Sequence, residues 1–289
     1  MRVVALFLRL LCLLPAVAAG LPIAALTPVP AAAQEADFDD VPFAIGQWNI
    51  GRRLDESQLR YCVDKRDADW EVAGAIADTI AAGLLLEPVR YVVENEIVLE
   101  DITKIYAIMI EHCDIYMGFK LIPEGYDRWL AVTRAYYDAQ YVFVATDPAL
   151  KSLADLPPGR PIGATIGSTA HIRLVSYLQA LPADRRWPAF PMGSNEQAID
   201  ALRNGPVDVA LVWEPTLWAK QRTDPAYAAL HIIDPNPLPP TVLGVGGVVL
   251  ANQKFLRSAI DEAIAALSAD GTIDGVLKSF DFPATAAAQ

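Results

Sequence analysis

The chain predicts an α/β fold of two lobes joined by two crossing strands, and three observations carry that prediction. Strand-like and helix-like segments alternate as β-α-β-α-β between about 59 and 117. The alternation restarts after residue 147. Two apolar strands, about 141–146 and 241–249, stand between and after the two series. Such alternation calls for a mainly parallel sheet covered by helices.

Leu59-Arg60-Tyr61-Cys62-Val63 is a short strand, followed by the charged loop Asp64-Lys65-Arg66-Asp67. Val72, Ile76, Ile80 and Leu84 recur at helical spacing, so a helix over 71–84 leads to strand Val89–Val93. A second helix at about 98–111 precedes strand Asp114–Met117, which ends at Gly118. A Pro123-Glu124-Gly125 turn, a short amphipathic segment and the aromatic pair Tyr136-Tyr137 then lead into strand Tyr141–Thr146.

In the second series Ser152–Leu156 is a helical turn and Arg160–Ala164 a strand. Ile166–Ala170 is a turn that opens helix His171–Ala180. Glu196–Arg203 is helical, and the apolar strand Val207–Val212 ends at Trp213-Glu214-Pro215. After strand Leu230–Ile233, Pro235, Pro237, Pro239 and Pro240 mark a stiff connection. The Gly-rich strand Leu243–Ala251, the helix Lys254–Ala269 and a helix near Gly271–Ser279 close the chain. The division that results places one lobe at 34–143 plus 245–289 and the other at 147–238, with hinges at about 141–146 and 239–249.

Residues 1–33 read as an export signal. Arg2 and Arg9 form a basic start, Val3–Leu14 is apolar, and Ala31-Ala32-Ala33 offers a cleavage site before Gln34. The apolar run is short and broken by Pro15, Gly20 and Pro22, so a retained N-terminal anchor is the poorer alternative. Arg9 also stands where a lipoprotein box wants an apolar residue before Cys12. Cleavage near Ala33 sends the mature chain to the periplasm and leaves Cys62 and Cys113 as its cysteines. In an oxidising compartment an even pair suggests one disulfide. Two distant cysteines and scattered histidines show no metal-ligand spacing, and no cofactor is implied.

Loss of Arg2 and Arg9 takes the net charge from −12 to −14. An acidic chain of this kind is a poor partner for nucleic acid or an anionic membrane and suits cationic ligands or a basic protein partner.

The stretch GFKLIPEGYDRWLAVTRAYYDAQYVFVAT at 118–146 resembles the signature of periplasmic solute-binding proteins of family 3, the amino-acid-binding type. IGSTA at 166–170, EQAIDALRNGPVDVALVWEP at 196–215 and LSADGTIDGVLKSF at 267–280 match further pieces in order and spacing. The resemblance implies a two-lobed periplasmic-binding-protein-like fold of type II and a non-catalytic binding function. In that family a turn arginine grips the ligand α-carboxylate, and an aspartate after the second-lobe strand binds the α-ammonium. Those positions hold Gly125 and Trp213 here, with Glu214 next. The family's small hydroxyl contact falls near Lys120.

LRYCVDK at 59–65, HCDIYMGFKLIPEGYD at 112–127, VTRAYYDAQYVFV at 132–144 and VDVALVWEP at 207–215 are most similar to a narrower branch. Its members are associated with quinoprotein dehydrogenases, including methanol dehydrogenase. Cys62 and Cys113 fall in matching places, so the resemblance implies the same disulfide. It also implies an accessory role beside a periplasmic quinoprotein alcohol or methanol dehydrogenase, whose subunit would be a partner. The alternative is a substrate-binding subunit of an ABC transporter for a small polar or cationic solute, with a permease as partner. A second alternative is a dehydratase-like enzyme on the same fold, with Glu214 and Lys120 as an acid–base pair and His171 opening the second-lobe helix.

The cleft residues expected on these grounds are Asp64, Trp70, Lys120, Tyr126, Arg128, Ser168, Thr169, Trp213 and Glu214. Trp70 and Trp213 would be aromatic walls, Asp64 or Glu214 a counter-charge for a cation. Ser168 and Thr169 open a helix whose unpaired N–H groups favour an anionic group, or they serve as ordinary caps.

Overall fold

The computed structural model describes residues 57–94 and 102–288. The expected export segment at 1–33, the stretch up to residue 56 and the expected start of the second helix near 98 lie outside them. The first series runs β1 (Gln58–Asp64), α1 (Trp70–Gly83), β2 (Glu87–Val93), α2 (Ile102–Glu111) and β3 (Ile115–Lys120). Strands β1 and β2 pair in parallel, as do β1 and β3. Helix α1 buries Val72, Ile76 and Ile80 along one stripe, which sets the helix on the sheet and fixes which face it presents. Cys62 and Cys113 form a disulfide with Cα atoms 5.6 Å apart and a sequence separation of 51. It ties β1 to the start of β3 and restricts the unfolded chain by about 4 kcal/mol in the chain-entropy view.

The connection after β3 holds a short strand β4 (Leu130–Val132), followed by the long strand β5 (Tyr137–Ala145). The second series is β6 (Ile162–Thr165), α3 (Thr169–Ala180), β7 (Ala189–Met192), α4 (Asn195–Asn204), β8 (Val209–Trp213), α5 (Glu214–Thr223) and β9 (His231–Ile233). Strand β10 (Thr241–Leu250), helices α6 (Lys254–Ala269) and α7 (Thr272–Ser279), and a last strand β11 (Thr285–Ala286) complete the chain.

One sheet carries everything, in the order β2-β1-β3-β10-β5-β8-β6-β7. Its two outer sections are parallel, and the two long strands between them are antiparallel to their neighbours. Strand β10 pairs with β5 over Thr241–Val245 and with β3 over Val245–Val248. Strand β5 pairs with β10 over Tyr137–Tyr141 and with β8 over Tyr141–Ala145. Strand β10 thus joins β3 to β5, and β5 carries the sheet on into the second series. Tyr141 is the crossing point, opposite Thr241 on one side and Trp213 on the other.

The glycines of β10 answer to close packing. A Cβ on Gly247 would meet the Ile115 side chain at 2.5 Å, and one on Gly246 would meet the Arg134 carbonyl at 2.8 Å. The chain at Thr133 fills that space: its N–H donates to Gly247 O, and Gly247 N–H donates to Thr133 Oγ1.

Strand β5 starts at Tyr137, earlier than the sequence reading has it, and β7 and β11 are strands it did not contain; three further places differ from it. Strand β3 continues past Gly118, which takes φ +93°, and ends at Lys120 because Val245 and Gly246 pair with Lys120 and Phe119. The amphipathic segment contains β4, which gains its partners from Val248–Leu250. Helix α5 begins where the strand reading stopped, with Pro215 in its first turn, a position where the missing N–H costs nothing.

Candidate functional site

The carboxyl ends of β1, β3, β6 and β8 converge where the strand order turns over at β10 and β5. That is where open α/β sheets place ligands. Lys120 ends β3 and Trp213 ends β8, so one comes from each lobe. They meet: the Lys120 ammonium lies 4.8 Å from the centre of the Trp213 ring.

Trp213 is 4 % exposed and held on several sides. Its backbone N–H donates to Asn195 Oδ1 at 3.1 Å, and Thr165 Oγ1 donates to the same oxygen at 3.0 Å. Tyr141 packs against it with ring centres 5.0 Å apart. Burial raises the Tyr141 hydroxyl's pKa, and Ser168 beside it acts the other way. Ser168 caps α3 by accepting from His171 N–H. Thr169, the first residue of α3, is half-buried beside it.

The first lobe supplies carboxylates from the turn between β1 and α1. Asp69 is 6 % exposed and accepts from the Tyr137 hydroxyl. Burial raises its carboxyl above the usual range, and the Tyr137 bond and the Lys120 charge oppose that rise. Asp67 is exposed, in the turn between β1 and α1. Crowding first, then Asp69 and Asp64, raises its carboxyl, while Lys120 and Arg66 act the other way. Gly118 lets β3 pass close to this carboxylate: a Cβ there would stand 3.1 Å from Asp67 Oδ2. Tyr136 accepts from Gly118 N–H at 2.9 Å, and its ring meets that of Tyr137 edge-on.

Of the residues expected from sequence, Lys120 and Trp213 come together and Ser168 joins them through Tyr141. Asp64 is occupied otherwise. Arg66 forks onto it through Nε and Nη2, at 2.9 and 2.5 Å. Tyr126 donates to the Lys120 carbonyl and packs on Phe119, so it braces the strand end. Trp70 is partly buried against the main core, and Arg128 stands exposed in the turn before β4.

Glu214 departs from the sequence grouping. Burial raises its carboxyl, and the neighbouring Gln140 amide partly offsets that rise. It lines a cavity of about 440 Å³ with Asp138, Gln140, Val242, Phe282, Pro283 and neighbouring residues, none of which is Lys120, Ser168 or Trp213. The reason is local: Trp213 ends a strand and Glu214 starts a helix, so adjacent side chains diverge. Sequence reasoning also missed Asp67, Asp69, Tyr137 and Asn195. The run of acids after β1 and the Ser-Asn start of α4 were the available signals.

No protein-family model matches the chain. The ABC transporter arginine-binding protein 1 of Escherichia coli is 28 % identical over 163 residues, which cover 55 % of this chain and 61 % of that protein. The match thus spans about three fifths of that relative's length. Among solved structures, the BvgS VFT2 domain of Bordetella pertussis superposes with a TM-score of 0.59 at 18 % identity, covering 82 % of this chain and 97 % of that one. The T. maritima ArgBP gives 0.52 at 19 % identity, over 78 % and 95 %. The ligand-binding core of GluR0 from Nostoc punctiforme, solved with L-glutamate, gives 0.54 at 17 % identity, over 77 % and 98 %.

The fold is the two-lobed α/β fold of periplasmic binding proteins. Among the described residues, no helix is long and apolar enough to cross a membrane.

Proposed function

We propose that this chain is a non-catalytic solute-binding protein whose interlobe cleft takes a small cationic solute. One observation carries the reading. The Lys120 ammonium lies 4.8 Å from the centre of the buried Trp213 ring, and its charge acts on the Asp67 and Asp69 carboxyls that follow β1. An aromatic face beside carboxylates is complementary to positive charge, by ring quadrupole and by Coulomb attraction. The similarity to an arginine-binding transport protein supports a cationic ligand and delivery to an ABC permease. Gly125 and Trp213, where carboxylate- and ammonium-binding side chains were expected, argue against the usual grip on an α-amino acid. The export signal at 1–33, the periplasmic location and the lobes at 34–143 plus 245–289 and 147–238 are part of this proposal. Against catalysis by Lys120 and Glu214 as a pair stands the place of Glu214, in a cavity whose lining does not include Lys120.

Calorimetric titration with arginine, lysine, putrescine, choline and glutamate tests the reading. Micromolar binding of a cation, abolished by Trp213→Leu, is expected. Glutamate as the tightest ligand would overturn it. The loss of the carboxylate grip also favours a second reading, service to a periplasmic quinoprotein dehydrogenase. Co-purification with such an enzyme's subunit, together with no binding of any panel member, would put that reading first.

A further inference from the structure

We propose that Lys120 is the specificity-determining residue of the cleft, a tethered cation that occupies the Trp213 face and that a solute must displace. The proposal rests on the cationic reading of the cleft and adds how the site chooses.

Lys120 is the last residue of β3, and its backbone is fixed. It is paired with Val245, and its carbonyl accepts from the Tyr126 hydroxyl. Only the four-carbon stem is free to swing. Its ammonium meets Trp213 of the other lobe at 4.8 Å and feels the charges of Asp67 and Asp69. Arg66 does not compete for this place, because its guanidinium is forked onto Asp64.

The receiving face is built rather than incidental. Trp213 is fixed from behind by Asn195 through its backbone and from the side by Tyr141. Asp69 is fixed by Tyr137. A lysine held by groups that are themselves held is a ligand of its own protein. A tether on one residue gives an effective concentration on the order of millimolar. A solute cation therefore binds more weakly than the bare face would allow, by the fraction of time Lys120 leaves that face open. Three consequences follow for selectivity. Cations that bind must match the ammonium in charge and exceed it in contact with the ring, as a guanidinium or an alkylated ammonium does. Neutral solutes gain nothing for the displacement. Anions would meet Asp67 and Asp69 once Lys120 swung out to them.

Two measurements test the proposal. In the first, the full chain is reductively dimethylated with carbon-13 reagent, which keeps the positive charge, and the Lys120 methyl signal is observed by NMR. Ring current from Trp213 should shift it upfield, the shift should vanish in Trp213→Leu, and arginine or choline should move the signal back towards a free lysine. A Lys120 signal at the free-lysine position before any addition would overturn the proposal. In the second, calorimetry compares the chain with Lys120→Met and Lys120→Arg. Lys120→Met should bind arginine or choline about tenfold more tightly, equal to 1.4 kcal/mol. Lys120→Arg, which keeps a cation on the tether, should not. Equal or weaker binding by Lys120→Met would overturn the proposal, because it would make Lys120 a bystander or a direct solute contact. An upfield, Trp213-dependent signal with no cation bound by any of the three proteins would sink the cationic reading of the cleft while leaving the tether standing.

Discussion

The two faces of β5 are built from the same strand and treat charge in opposite ways. Tyr137 reaches Asp69 and Tyr141 meets Trp213, while Asp138 and Gln140 line the cavity behind, whose Phe282 also packs on the Tyr137 ring. On the cleft side the acids have fixed neighbours: Asp69 accepts from Tyr137, Asp64 takes the Arg66 fork, and the Lys120 charge acts against the rise of the Asp67 and Asp69 carboxyls. Behind the strand Asp138 and Glu214 share an open cavity with Val242, Phe282 and Pro283, and both carboxyls are raised by burial. The front is thus an organised polar network whose members fix one another. The back is a recess whose acids are held by the ordinary geometry of a strand, a helix start and the last strand β11, which pairs with β5 at Tyr137 and Asp138. Removal of a front-face group should propagate, and removal of a back-face group should not.

The largest effect is expected at Tyr137→Phe. The hydroxyl is the hydrogen-bond donor to a carboxylate that is 6 % exposed, and without it Asp69 keeps its burial and loses that bond. Loss of a hydrogen bond to a buried acceptor costs about 1–3 kcal/mol. Chemical denaturation should show that loss with an unchanged slope, since Tyr137 and Phe occupy the same space against Tyr136 and Phe282. A change below roughly 0.5 kcal/mol would mean that front and back do not differ in the way described.

Most of the fold was legible because it is written in periodicity. Val72, Ile76 and Ile80 announce α1, and the apolar run at 207–212 announces β8. Segments whose structure comes from distant partners were not legible. Strand β4 exists because Val248–Leu250 lie beside it, and β11 because β5 does. The same division runs through the site. Lys120 and Trp213 could be named from their places after strands, but their contact depends on the register of β3, β10, β5 and β8 together. Glu214 was misgrouped because one residue separates a strand end from a helix start, and a sequence motif does not show that turn. Helix α5 was legible in principle, through Pro215 in its first turn.

A smaller effect, with a pH signature, is expected at Asp67→Asn. The folded chain raises the Asp67 carboxyl, so between the unfolded value and the folded one the native state binds more protons than the unfolded state. Stability from this group is then greatest at acid pH and falls as pH rises through that window. Asparagine removes the fall. Solvent access discounts the gain to on the order of 0.5–1 kcal/mol at neutral pH, with no gain near pH 3, where both carboxyls are protonated. Cation affinity should behave in reverse. In the parent chain it should rise with pH as Asp67 ionises, and in Asp67→Asn it should be flatter. Parallel melting and titration series at several pH values give both curves. Identical pH slopes for the two proteins would remove Asp67 from the cation site.

The smallest effect is expected behind the strand, at Glu214→Gln. Burial raises this carboxyl and the Gln140 amide partly offsets the rise, so its ionisation also works against folding as pH rises. Glutamine keeps the volume and the N-terminal place on α5 but gives up the favourable charge at a helix start, a loss of about 0.3–1 kcal/mol. The two terms oppose each other, and the net change should stay within roughly 0.5 kcal/mol. Cation affinity should not move, because Glu214 shares no contact with Lys120 or Trp213 among those described. A drop in affinity of tenfold or more would join the cavity to the cleft. The two faces of β5 would then be one site, with Trp213 and Glu214 gripping the solute from either side of the crossing.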